Sequence, residues 1–387
     1  MEENRFNKKI ELDKVEVQLS GYGAGQGTSE YHMMLSINDP LLTFQEQVSA
    51  LMSAYDEMLA YEELAGAESV FRRYFLSDVI NQADLLLAMK SEGSDCAVSL
   101  VQQAPLNGTK VAMWCYLVKG GDGGRMLPNG LFEFRHGAYR DLWSMGNVNK
   151  AANSEYQTRL LLGDYVMHLN VQGCRLASNC VRTWFFVQDI DHDYAGVVKA
   201  RNEVFKTQDL TSETHFIAST GIGGGNPQVE SLVMMDAFAI DGIQPGQMHY
   251  LYARTHLNPT YEYGVSFERG SYIDYADRRK VYISGTASIN NKGEIMYKGD
   301  VCKQTDRMIE NVQMLLQEAE CTYADVDQMI VYLRDPADYL VVRSIFEERF
   351  PAIPKLLVHA FVCRPGWLVE MECVATKKIV NQQFAAF

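Results

Sequence analysis

An α+β fold built from two or three copies of one module is what this 387-residue sequence predicts. Three observations carry that expectation. A helix–strand–helix order returns three times, an aspartate stands eight positions after the first residue of the strand in each pass, and the passes are separated by whole-domain distances. Asp78, Asp189 and Asp335 lie 111 and 146 residues apart, whereas solenoid repeats run about 20 to 50 residues. Modules of roughly a hundred residues, packed through their sheets, fit that period. The boundaries expected from it are 1–150, 151–275 and 276–387.

The first pass begins after a turn-rich stretch. Gly21-Tyr22-Gly23-Ala24-Gly25-Gln26-Gly27 is expected to be a loop, because Gln26 occupies the last glycine position of a GxGxxG and no strand-to-helix context surrounds it. Thr43-Phe44-Gln45-Glu46 is a capping box that opens a helix, with Phe44, Val48, Leu51, Met52, Tyr55, Met58 and Leu59 at helical spacing. A strand at 70–78 carries Arg72-Arg73, of which alternate facing turns at most one inward. A helix at 81–90 follows, then a strand at 109–119 and a hairpin-like loop, Gly120-Gly121-Asp122-Gly123-Gly124.

The second pass opens on another capping box, Ser154-Glu155-Tyr156-Gln157, with a stripe of Leu161, Leu162, Tyr165, Val166 and Leu169 and a stop at Gly173. Its strand is 181–189 and its second helix 194–205. The glycines of Gly221-Ile222-Gly223-Gly224-Gly225-Asn226 follow no Rossmann strand and lack a P-loop lysine, so they read as a tight turn or as backbone approaching a ligand. In the third pass Met308, Ile309, Val312, Leu315, Leu316 and Ala319 form the helix stripe, 327–335 the strand and 339–350 the second helix.

Composition narrows the function. A net charge of −14 argues against a nucleic-acid surface, so an anionic substrate has to be drawn in by local arginines. Eight cysteines without a CxxC, and eight histidines without an HExxH, give no zinc pattern, and neither metal nor organic cofactor is expected. No apolar run reaches the length of a membrane span and the first dozen residues hold no signal-peptide stretch, so cytosol is the expected compartment.

The chemistry concentrates in the last strand, expected over 361–375. Side chains alternate across a strand, so Glu370 and Glu372 share one face while Val369, Met371 and Cys373 take the other. Burial and mutual repulsion of two carboxylates raise a carboxyl pKa into the range of a general acid. On a wet sheet face the same pair has no such role.

The third module, with its Ser284-Gly285 strand end, Tyr332-Leu333-Arg334-Asp335 strand and final Glu370-Met371-Glu372, resembles the RidA/YjgF fold. Arg182-Thr183-Trp184, Ala218-Ser219-Thr220-Gly221-Ile222-Gly223, Tyr263-Gly264-Val265-Ser266-Phe267-Glu268-Arg269 and Ser284-Gly285-Thr286-Ala287-Ser288 occur in an order that resembles the chorismatases over residues 150–380. Cys363-Arg364 followed by Glu370 looks like the hydroxybenzoate-forming branch of that family; Phe185-Phe186 departs from the family's asparagine and tyrosine. The resemblance implies RidA-like modules arranged as a pseudo-trimer or a small homo-oligomer. It implies chorismate as substrate and pyruvate with 3- or 4-hydroxybenzoate as products.

Within that resemblance Glu370 is the proton donor to the enolpyruvyl methylene and Cys363 shapes the pocket. Arg269, in an expected strand beside Tyr263 and Phe267, and Arg364 are the guanidinium partners for the substrate carboxylates. Ser284, Gly285 and Thr286 offer hydroxyl or backbone donors. Two alternatives stay open: a RidA-type imine hydrolase, against which stands the loss of that family's carboxylate-binding arginine in the Pro354-Lys355-Leu356-Leu357 region, and a non-catalytic ligand-binding or assembly protein.

Overall fold

A computed structural model describes residues 4–23, 27–89 and 96–387. The expected repetition is present three times over in one pattern. The first module runs β1 (Asn4–Leu12), β2 (Val15–Gly23), β3 (Ser29–Ile37), α1 (Phe44–Leu59), β4 (Ala67–Leu76), α2 (Val79–Met89), β5 (Ala97–Gln102) and β6 (Val111–Lys119). The second runs β7 (Gly123–Met126), β8 (Phe132–His136), β9 (Tyr139–Val148), α3 (Ser154–Val171), the short α4 (Leu176–Asn179), β10 (Cys180–Val187), α5 (Ile190–Thr207), β11 (Ala218–Gly223) and β12 (Val233–Asp241). The third runs β13 (Met248–Leu251), β14 (Gly270–Asp274), β15 (Arg278–Ala287), α6 (Val301–Glu318), β16 (Val326–Leu333), α7 (Tyr339–Arg349), β17 (Lys355–His359) and β18 (Val369–Lys378). Each module folds into a six-stranded sheet of the same order: β1-β2-β3-β6-β4-β5, β7-β8-β9-β12-β10-β11 and β13-β14-β15-β18-β16-β17.

These sheets divide the chain at residues 120–122 and 242–247, not at 150 and 275. Strands β7 to β9, expected in the first module, pair within the second sheet, and β13 and β14 pair within the third. The cause lies in the glycine stretch 120–124. It does not turn β6 back on itself but carries the chain to the next sheet, so the meander that opens each module precedes the helix–strand–helix unit legible in the sequence.

Local signals account for the elements. Thr43 caps α1 in the expected box with Glu46. At α3 the cap is Asn153, one residue before the expected serine, and its side chain accepts the amide of Tyr156 at 3.0 Å. Gly173 ends that helix region in the left-handed conformation, φ 78°. The repeated aspartates stand two residues past the strands, at helix starts: Asp335 accepts the Ala337 amide at 2.9 Å, and Asp189 is the N-cap residue of α5. Arg72 and Arg73 are both buried, because the sheet is covered on both faces. Arg72 donates to Tyr55 Oη on the helix side and Arg73 to Asp236 on the other, each at 2.8 Å. Gly21 and Gly23 lie in β2, while residues 24–26 of the expected loop and Lys90 at the expected helix end fall outside the described residues.

The three modules close a ring. Each final parallel strand reaches the loop before the central strand of the next module: Gln102 bridges Gly225, Ile222 bridges Val362, and Val358 bridges Pro105. The ring encloses a buried core in which Phe71 meets Trp114 edge-on at 4.7 Å and Trp143 stacks on Phe238 at 4.1 Å. Helices cover the outer faces of the sheets.

Candidate active site

Glu370 and Glu372 share a face of β18, as the two-residue period requires, and that face looks across the seam between the second and third modules. Neither glutamate is wet, with residue exposures of 4% and 2%. Their partners differ. Glu372 accepts hydrogen bonds from Arg182 Nη2 at 2.8 Å, Trp184 Nε1 at 2.8 Å and Thr220 Oγ1 at 2.5 Å. Arg182 and Trp184 share a face of β10 and Thr220 lies on its parallel neighbour β11, so the second module supplies a complete cation-and-donor set for one carboxylate. Among the described residues the Glu370 carboxyl has no hydrogen-bond or ion-pair partner. Burial, with the charge of Glu372 behind it, raises its carboxyl to about 8.

The Glu370 carboxyl lies directly against Gly285, where a Cβ would collide with its Oε1. The Gly285 amide in turn donates to Thr220 Oγ1 at 2.9 Å. The glycine therefore admits the acid to the seam while its backbone is tied to the second module.

Around Glu370 the side chains close on a narrow cavity, about 30 Å³ of it wide enough for the centre of a water molecule. Gly285, Cys363, Arg364, Arg269, Tyr263 and Phe267 all line it, so most of the expected site residues converge. Ser284 and Thr286 do not. Ser284 Oγ is consumed inside the seam, donating to Glu268 O at 2.6 Å and accepting the Ser219 amide at 2.9 Å; Thr286 Oγ1 turns back to Ser284 O. Arg269 is not in a strand but in the irregular segment before β14, and Tyr263 closes a 3₁₀ turn, Thr260–Tyr263. The last strand itself begins at Val369, not 361, so Cys363 and Arg364 lie in the loop before it.

Three guanidinium groups are poised differently. Arg269 gives Nη2 to Asn258 O at 2.9 Å and Oδ1 at 3.2 Å, which leaves its buried Nε without a partner. Arg364 lies over the rings of Tyr263, 4.3 Å, and Trp367, 5.2 Å. The third, Arg201 on α5, is absent from every motif in the sequence, yet it lines the same cavity at 1% exposure with Nε and Nη2 unpaired. Its one legible signal is position: Val197, Arg201 and Phe205 follow at four-residue steps along the buried face of α5. A buried cation without an acid is costly unless something pairs with it. Two of them, Arg201 and Arg269, line this one cavity.

Burial pushes the Cys363 thiol up to about 12, with the Glu370 carboxyl adding to the effect, so no thiolate is available there. Tyr194 and Trp367, also missed in the sequence, complete the walls. Phe185 and Phe186, the departure from the family pattern, are buried beneath α5 and in the central core and do not line the cavity. Of the glycine run expected as a turn or as backbone near a ligand, residues 221–223 end the strand β11 and 224–226 follow it; Gly221 lines the cavity and lets the Tyr194 ring close on the backbone. Lys355, where the imine-hydrolase arginine was sought, lies away at the third–first seam and donates to Phe350 O and Ile353 O.

The register of the three sheets shows how the seams differ. Glu370 is opposite Tyr332 in the third sheet; Met234 opposite Phe186 and Ala112 opposite Phe75 hold the same place in the other two. Only one of the three positions carries an acid. Among the described residues no group of three His, Cys, Asp or Glu side chains could hold a metal ion, and no helix is long and apolar enough to cross a membrane.

Residues 268–377, β14 to β18, match the family model described as Endoribonuclease L-PSP. A RutC family protein from Pyrococcus abyssi is 32% identical over 100 residues, which cover 25% of this chain and 79% of that protein. The chain belongs to the RutC family. A second RutC-family relative, the 3-aminoacrylate deaminase RutC of Acinetobacter baylyi, is 29% identical over 97 residues, 24% of this chain and 77% of the relative. Both alignments have the length of one module. The ring as a whole is matched by the crystal structure of a chorismatase, with a TM-score of 0.64 at 18% identity over 82% of this chain and 96% of that one. This RutC-family chain therefore shares its three-module fold with that protein.

Proposed function

We propose that this chain cleaves chorismate, releasing pyruvate and a hydroxybenzoate, with Glu370 as the proton donor. The observation that carries the reading is a buried, unpaired carboxyl, protonated at neutral pH, in a cavity walled by two arginines with unpaired N–H groups. Chorismate is a dianion whose enol ether breaks once its terminal methylene carbon is protonated, and a neutral acid in a site that binds anions supplies that step. Arg201 and Arg269 take the two carboxylates, with Arg364 at the rim. The oxocarbenium ion formed on protonation collapses to pyruvate as the ether bond to the ring breaks, and the ring cation left behind aromatises by losing a proton, which restores the Glu370 carboxyl. Chorismate has the composition of pyruvate plus hydroxybenzoate, so a ring that aromatises consumes no water, whereas capture of water gives the dihydrodiol. Cys363, as a neutral thiol against Glu370, fills the space that a water molecule would need.

Because the walls stand close, a substrate of this size requires the turn Thr260–Tyr263 to move outward, and the left-handed Gly264 after it, φ 81°, is a ready hinge. The three modules of one chain supply the seams that an oligomer would otherwise form, and the protein is expected to act as a monomer in the cytosol. Incubation with chorismate, following pyruvate, tests the reading. No release above background would remove the reaction and leave a binding protein. The likeness to 3-aminoacrylate deaminase RutC favours a second reading, hydrolysis of a 2-imino acid, and ammonia release from such a substrate without pyruvate release from chorismate would select it.

A further inference from the structure

Behind Arg269 lies a second compartment. About 70 Å³ of it is wide enough for a water molecule's centre, and its walls include Arg254, Glu268, Asn258, Tyr252 and Thr214. Arg269 belongs to the walls of both cavities, so one guanidinium divides the space around Glu370 from the space around Glu268. Two features of this compartment have no part in the chemistry above, and a third, Arg269, is shared with it. Arg254 is exposed and stacks over Tyr252 at 5.1 Å, and among the described residues it forms no ion pair. The buried Glu268 accepts the Phe216 amide at 2.8 Å and has no cation bonded to it. Arg269 keeps an unpaired, buried Nε.

We propose that this compartment is a binding site for a small monocarboxylate, held between Arg254 and Arg269, and that the pyruvate cut from the substrate passes into it around Arg269. The identity of the acid rests on the chorismate reading; the site itself does not. Two guanidinium groups, one fixed to Asn258 and one at the solvent edge, grip a carboxylate at the mouth of a space sized for a few heavy atoms. The three-carbon acid then leaves on the far side of Arg269 without crossing the aromatic product.

Glu268 sets the pH dependence. It faces Arg254 and Arg269, Tyr250 and Tyr252 from β13 and the loop after it, and His215 from the segment before β11. Burial raises its carboxyl to about 7, the Phe216 amide and the two arginines opposing, and burial lowers His215. Below pH 7 Glu268 is a neutral donor to the bound acid; above it, a second negative charge repels the ligand.

Titration of sodium pyruvate into the full-length protein by calorimetry tests this. Saturable binding is expected, weakening as pH rises from 6 to 8.5. Arg254→Ala, at an exposed position, should raise the dissociation constant about tenfold, the worth of one charge-assisted contact, and Glu268→Gln should abolish the pH dependence. No binding by the parent, or equal binding by Arg254→Ala, overturns the site. Chorismate cleavage is assayed on the same preparations: cleavage without pyruvate binding removes the compartment and keeps the reaction, and pyruvate binding without cleavage does the reverse.

Discussion

Arg182 and Glu372 form an ion pair across the second–third seam, Nη2 to Oε2 at 2.8 Å, and the negative charge so fixed lies two residues along the strand from Glu370. Burial and that charge together hold the Glu370 carboxyl neutral, with its titration raised to about 8.

Glu370→Gln is expected to lower the rate of pyruvate release from chorismate by about a hundredfold or more, the usual worth of a positioned general acid. The melting temperature should hold, since the amide is nearly isosteric and the lost carboxyl had no partner. Parent-level activity in the variant would refute the assignment.

The reaction's pH profile should be flat below about 8 and fall tenfold per unit above it, because the acid must carry its proton. Stability follows the same group. Glu370 is protonated in the fold at pH values where an unfolded glutamate, near 4.5, is already ionised. Its contribution is therefore fully present below about 4.5 and is lost as pH rises toward about 8. Melting curves of parent and Glu370→Gln across pH 4 to 9 should show the parent losing ground over that window and the gap then levelling; a constant gap contradicts the raised pKa.

Replacing Arg201 by Met should raise KM for chorismate about tenfold or more, through loss of one charge-assisted carboxylate contact. The same change removes a buried guanidinium whose Nε and Nη2 lack partners, so thermal stability should rise or hold. A fall in stability with KM unchanged would mark Arg201 as a structural group.

Gly285→Ala places a methyl against Glu370 Oε1. The carboxyl has to swing away, and activity should drop at least tenfold with a modest loss of stability. Product analysis of Cys363→Ala should show the dihydrodiol gaining on hydroxybenzoate; an unchanged ratio leaves the thiol as packing.

Much of this was readable in advance where one strand's period decides everything. Glu370 and Glu372 are two apart, and no tertiary information is needed to put them on one face. The module boundaries were not readable in the same way, because 120–124 has the composition of a hairpin turn whether the strands it joins pair with each other or, as here, belong to different sheets. Arg201 shows the limit for the site. It belongs to no motif, and on α5 an arginine reads as solvent-facing until Val197 and Phe205 are seen on the same buried side. Ser284 and Thr286 erred the other way: adjacent to Gly285 in sequence, they spend their hydroxyls on backbone carbonyls inside the seam.

Ala112, Met234 and Glu370 occupy matching places in three sheets of a single chain. An assembly of identical subunits has one gene for every copy of such a place, so a substitution that tunes one would alter all. Joining the copies end to end frees each to drift alone, and two could fill with apolar side chains and stiffen the whole while the remaining one kept a destabilising acid for chemistry.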